Sequence, residues 1–180
     1  MRTKPLNRLF LRLGQQLPDG VNLLEGTIGV LSESSRRWPT DDEFRQAIQR
    51  YPLYNDSRPD QRRLILETLE KDFGHKERPD LAGLTIEHLM PQTLTKEWIT
   101  ELGPDAEKTH TKLLHVLGNL TLTGYNPELS NSPWSEKRSL LLQSHLEMNK
   151  EIAAQEDWGE GEIHERGDVL ADRCLKLWPG

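Results

Sequence analysis

Leu84-Thr85-Ile86-Glu87-His88-Leu89-Met90-Pro91 is the stretch on which the reading of this chain turns. Apolar flanks deliver an acid and a histidine side by side. Pro91 ends the run, because it lacks an N–H and restricts Met90 before it. A counterpart lies downstream in Leu117-Gly118-Asn119-Leu120-Thr121-Leu122-Thr123, which alternates Leu with Asn or Thr. That period of two belongs to a strand, and it predicts Leu120 and Leu122 on a buried face with Asn119, Thr121 and Thr123 on the other. Most of the remaining chain is patterned for helices. The expected fold class is therefore α+β, predominantly α-helical: a helical bundle around a short two-stranded element.

Before the first strand, Leu6, Leu9, Phe10 and Leu13 recur at helical spacing until Pro18-Asp19-Gly20, while Gly26 and Gly29 leave 21–35 undecided. Thr40 ahead of Asp41-Asp42-Glu43 reads as a capped helix start, with Phe44, Ile48 and Tyr51 on one face and Pro52 closing it. The cleanest early helix spans 60–73, with Leu64, Ile65, Leu69 and Phe73 on one side and Arg62, Arg63, Glu67, Glu70 and Lys71 on the other. A polar connector over 75–80 then separates a helical region, 1–80, from the part that carries the motifs, 81–180.

Between the strands, 94–102 and 105–116 read as helices. After them, 124–131 reads as a loop rich in Asn and Pro. Ser132-Pro133 reads as an N-cap and first helical residue, opening a helix with Leu141, His145, Met148 and Ile152 on one face. A last helix over 161–178 carries Ile163, Leu170, Cys174 and Leu177. Trp98, Trp134 and Trp178 read as core anchors.

Composition narrows the function classes. The 180 residues are long enough for one sizeable core, and no apolar run approaches the ~20 residues of a membrane span. Arg2, Lys4, Arg8 and Arg12 interrupt any signal-peptide pattern, and the single Cys174 excludes an internal disulfide or a Cys-rich zinc site. A cytoplasmic protein with no membrane association is expected. The net charge is −6, and residues 146–180 hold nine acidic against four basic side chains. Phosphate contacts need Lys and Arg, so a chain of this charge acting on DNA calls for a metal ion and a separate module for affinity.

The chemistry that fits is phosphodiester hydrolysis by water. A neutral imidazole near pH 7 suits proton abstraction, and His88 can supply it. Hard oxygen ligands select Mg²⁺ or a similar ion, here Mg²⁺ or Mn²⁺, and Glu87, Asn126 and Asn131 can supply the oxygens. Asn119 can hold the two arms together or orient the imidazole. Adjacent residues of a regular strand face opposite ways, so Glu87 shares a site with His88 only if the strand ends or distorts between Ile86 and Pro91. Lys137 and Arg138, early in a helix after the Asn loop, are candidates to clamp a DNA phosphate.

Ile86-Glu87-His88-Leu89-Met90-Pro91-Gln92, then Leu117-Gly118-Asn119-Leu120-Thr121-Leu122, then Asn126, Asn131 and Lys137, resemble the C-terminal nuclease domain of GmrSD-type and SspE-like restriction proteins of phage defence. That domain belongs to the HNH branch of the His-Me finger (ββα-metal) nucleases. The resemblance implies a metal-dependent DNA endonuclease, nicking or cleaving double-stranded DNA. It makes 81–180 the nuclease domain, His88 the general base and Asn119 the central Asn of the triplet. It implies a metal between Glu87 and an Asn of the loop, Asn126 by spacing or Asn131. Many such sites have Asp where this chain has Glu87. An NTP-binding sensor module usually precedes the domain; no Walker-type loop occurs here, so that module is expected upstream in a longer protein or as a separate chain.

Other residues read more simply. His115 and His145 fall on apolar faces and are expected as core or semi-buried histidines rather than ligands; His75 and His164 are expected at the surface. Arg36-Arg37 and Arg62-Arg63 are read as surface charge ahead of a DNA track. The rival to the nuclease is a degenerate nuclease-like module that docks a partner protein or DNA, favoured by the negative charge and by Glu87. A third reading directs the same site at RNA.

Overall fold

Strands β1 (Thr85–His88) and β2 (Leu120–Thr123) form one antiparallel pair, with Thr85 opposite Thr123, Glu87 opposite Thr121 and His88 opposite Leu120. The computed structural model of the chain describes residues 11, 13, 15–17, 20–32, 39–56, 58–77 and 79–178. Around the pair lie α1 (Leu23–Ser32), α2 (Asp41–Arg50), α3 (Pro59–Lys71), α4 (Lys96–Leu102), α5 (Ala106–Leu113), α6 (Asn126–Leu129), α7 (Trp134–Leu141), α8 (Glu147–Ala153) and α9 (Glu160–Leu177). The α-rich α+β class holds. The helix expected near the N-terminus and Arg36-Arg37 lie largely outside the described residues.

Local rules place several boundaries. Thr40 caps α2 by a capping box: its Oγ1 accepts the Glu43 N–H at 3.3 Å, and Glu43 Oε2 accepts the Thr40 N–H at 3.0 Å. Gly26 and Gly29 do not prevent α1 from forming. In α3 the expected Leu69 is buried and Ile65 and Phe73 pack beside it, but Leu64 is 59% exposed and the stripe takes in Leu66 and Glu70 instead. Glu70, expected in solvent, is buried because it caps α8: its two carboxylate oxygens accept the N–H groups of Glu147 (2.8 Å) and Met148 (3.1 Å). His75, also expected at the surface, is part-buried with Nε2 2.9 Å from Glu70.

Two expected elements divide differently. The stretch 124–131 contains the single turn α6 rather than loop alone. The long helix expected after Pro133 breaks into α7 and α8 at 142–146, and His145 is exposed. The cause is Asn149, fully buried against β2. Its Oδ1 accepts the Thr121 hydroxyl (2.6 Å), and its Nδ2 donates to Leu122 O (2.9 Å) and Ser144 Oγ (3.0 Å). A buried amide needs those partners, and a straight helix does not deliver them. The same packing buries all of β2, Thr121 and Thr123 included, so neither of its faces is polar and exposed.

The buried apolar side chains form two clusters, each fed by one arm of the paired segment. Leu89 and Met90 join Trp98, Trp134, Trp158 and Ile163; Leu120 and Leu122 join Leu66, Leu69, Met148 and Leu170. Trp98 and Trp134 are core residues as expected, whereas Trp178 is 39% exposed. Contacts cross position 80 freely. Arg63 donates to Leu84 O (2.7 Å) and Leu81 O (2.6 Å), and Arg62 lies over the Tyr54 ring at 4.4 Å, so neither guanidinium reads as simple surface charge. Gly118 is required by α9: a Cβ there would lie 2.2 Å from Ile163 O.

Candidate active site

β1 ends at His88 for a reason written in another segment. Asn119 sits in the 3₁₀ turn Leu117–Asn119 just before β2, fully buried. Its Oδ1 accepts the Met90 N–H at 2.7 Å and the Trp158 indole N–H at 3.3 Å. Its Nδ2 donates to Met90 O and Leu114 O, each at 2.9 Å. The last backbone rung is the Leu89 N–H on Asn119 O at 3.0 Å, and one residue beyond it this single side chain takes both backbone groups of Met90, which fixes the chain where it leaves the ladder. All four hydrogen-bonding sites of the amide are used, which leaves none for a metal or a substrate. Asn119 holds the site together.

With the strand ended there, Glu87 and His88 open on one pocket. It has a volume of about 180 Å³ and is lined by Glu87, His88, Pro91, Gln92, Asn126, Pro127, Ser130 and Asn131. The candidate base and all three candidate oxygen donors therefore meet, although 44 positions separate Glu87 from Asn131. Asn126 opens α6 and its Nδ2 donates to Thr85 Oγ1 at 3.0 Å, which fixes the amide beside β1. Ser130, between the two Asn residues, has φ 32°, a left-handed backbone rarely held by serine and a mark of local strain on the pocket rim.

His88 is 3% exposed. Burial first, then the nearby His115, Lys137, His110 and Arg62, pushes its imidazole down to about 3, so it is neutral at pH 7. Its Nε2 lies 3.2 Å from Nδ1 of His115. The Tyr54 ring meets His88 edge-on at 4.3 Å and stacks on His115 at 5.7 Å, while the Tyr54 N–H donates to His115 O at 3.2 Å. His110 donates from Nε2 to Pro91 O at 2.9 Å, steadying the turn beyond the base.

Lys137 departs from its expected role. It is fully buried, with Nζ 2.6 Å from Glu87 Oε1 and 2.8 Å from His88 O, so it faces the acid and not a DNA phosphate. Burial pushes Glu87 up, against the pull of Lys137, and pushes Lys137 down, against the pull of Glu87. Arg138 is likewise turned inward, its Nε donating to Ala153 O at 2.9 Å. The spacing carried a sign of this: Trp134, Lys137 and Leu141 fall at i, i+3 and i+7, one face of α7, and all three are buried. His115 and Tyr54 were missed altogether as members of the site.

Among the described residues, no group of three or more His, Cys, Asp or Glu side chains is placed to hold a metal. Any cation here would depend on amide oxygens beside one carboxylate. No helix among the described residues is long and apolar enough to cross a membrane. Residues 38–173 match the family model described as GmrSD restriction endonucleases, C-terminal domain. Among curated proteins, none matches the chain.

Proposed function

The chain belongs to this family of restriction-endonuclease C-terminal domains, and from that premise we propose that it is a metal-dependent, HNH-type DNA endonuclease of phage defence. The observation that carries the reading is the pocket in which a neutral, buried imidazole and three oxygen donors converge. The antiparallel pair followed by α6, which packs on β1, is read as the ββα-metal element of such enzymes.

The residues present fit a small hard cation. One carboxylate and two side-chain amide oxygens are the donor class that Mg²⁺ or Mn²⁺ takes, and the pocket has room for the waters such an ion keeps. Glu87, Asn126 and Asn131 would hold it. A bound divalent ion supplies charge neutralisation at the phosphate and at the leaving oxygen. Lys137 grips one oxygen of Glu87 and fixes where the carboxylate stands. His88 receives the proton of the attacking water. Its Nε2 is engaged by His115, so the accepting atom is Nδ1. A group pushed down to about 3 is a weak base, and the negative scissile phosphate arriving beside it raises its proton affinity at the moment of use. The substrate proposed is double-stranded DNA, delivered by a sensor or NTPase module elsewhere in a longer protein or on a separate chain, in the cytoplasm.

One observation favours the rival docking module: Glu87 already has a cation, Lys137, at 2.6 Å. Incubation with supercoiled plasmid or single-stranded RNA, in Mg²⁺, Mn²⁺ or chelator, separates the readings. The nuclease reading expects plasmid nicking that needs metal and exceeds cleavage of RNA. No nicking with either metal would leave the docking module, and preferential RNA cleavage would redirect the site to RNA.

A further inference from the structure

We propose that His115 is the positioning residue of the site: it accepts a hydrogen bond from His88 and thereby fixes which ring nitrogen of His88 faces the pocket with its lone pair free. The proposal rests on the reading of His88 as general base and goes beyond it to say how that base is prepared.

The two rings share one contact, His88 Nε2 to His115 Nδ1 at 3.2 Å. With both imidazoles neutral, one proton lies between them, and two arrangements are possible. If His115 donates from Nδ1, His88 must carry its own proton on Nδ1 and presents no lone pair to water. If His88 donates from Nε2, Nδ1 is bare and can take a proton. Only the second arrangement makes a base, and His115 is then held with its proton on Nε2. A fixed partner behind a catalytic imidazole, setting tautomer and ring orientation, is a recurrent requirement of such sites.

The surroundings are built to keep this pair in register. Tyr54 stacks on His115 with 13° between the rings and meets His88 edge-on at 70°, so one aromatic ring limits rotation of both. The Tyr54 N–H holds the His115 carbonyl, and the Arg62 guanidinium lies over the Tyr54 ring at 4.4 Å. His115 does not line the pocket. It acts through His88 and touches no reacting atom. The pair is also no metal site: the described residues hold no three-ligand group, and 3.2 Å between the nitrogens is a hydrogen-bond separation.

The test uses the full chain labelled with ¹⁵N at its six histidines. The expected spectrum has His88 protonated at Nε2 and bare at Nδ1, His115 bare at Nδ1, and a scalar coupling between the two facing nitrogens. A protonated His115 Nδ1, or no coupling, overturns the proposal whether or not the chain cuts DNA. Two variants supply the kinetic arm, measured as metal-dependent plasmid nicking. His115→Phe removes the acceptor and is expected to lower kcat about 10- to 100-fold with KM for DNA little changed. His115→Asn keeps an acceptor oxygen near the place of Nδ1 and is expected to recover most of that loss. Wild-type kcat in a folded His115→Phe overturns the proposal, as does an equal loss in both variants. A wild-type chain that shows the coupling but never nicks refutes the nuclease reading alone.

Discussion

On the strand side of the pocket, Glu87, His88, Asn119 and Lys137 are buried and bonded to partners far away in sequence. On the loop side, Asn126 opens a single helical turn and Asn131 stands in the exposed turn after it, and the Asn126 amide donates to Thr85 Oγ1. The two sides meet in one cavity but carry different burdens. The strand side holds the fold, and its groups are costly to disturb because each leaves a buried partner behind. The loop side is cheap to alter and is placed to capture what enters.

That contrast can be broken most sharply at Lys137. Lys137→Ala leaves the Glu87 carboxylate buried without its cation, and the expected loss is about 3–5 kcal/mol in denaturant unfolding. A loss confined to activity would move Lys137 to the loop side's account. Next comes Gly118→Ala, with an expected loss of about 3 kcal/mol, since the added Cβ meets the backbone of α9 and no flexible side chain can yield. A stable Gly118→Ala chain would mean that α9 is free to shift against the Asn119 turn.

The third prediction concerns pH. Folding depresses His88 from 6.5 to about 3, so the unfolded chain takes up a proton below pH 6.5 that the folded chain refuses. Stability from this group is fully present above pH 6.5 and is lost as pH falls toward 3. The expected loss is about 2 kcal/mol between pH 6.5 and 4.5, at roughly 1.4 kcal/mol per unit. Metal-free wild type compared with His88→Phe isolates it, because the variant lacks that slope. The smallest effect on stability is expected at the loop side: Asn126→Ala and Asn131→Ala should each unfold within about 0.5 kcal/mol of wild type. Their metal-dependent nicking should fall about tenfold or more.

The legible parts of this molecule were those set by neighbouring residues. The capping box at Thr40 is a local pattern, and so are the helical stripes and the order Glu87-His88, Asn119, Asn126, Asn131. What escaped depends on long-range pairing. Glu70 reads as solvated because nothing near it in sequence shows that α8 begins above it, and a continuous helix after Pro133 ignores the need of Asn149 for partners on β2. Whether Glu87 could share a site with His88 was undecidable from β1 alone, since the end of that strand is set by Asn119, more than thirty positions on. Lys137 reads from its place early in a helix after the Asn loop as a phosphate clamp, although its spacing with Trp134 and Leu141 points inward. His115 reads as a core or semi-buried histidine, and only the fold brings it to Nε2 of the base.

Plasmid nicking by His88→Ala, in Mg²⁺ or Mn²⁺ and with folding verified by circular dichroism, addresses the central claim most directly. The account predicts nicking by the wild type and a loss of about 10²- to 10⁴-fold in the variant, the usual span of a general base. A folded His88→Ala chain that nicks as fast as the wild type would contradict it.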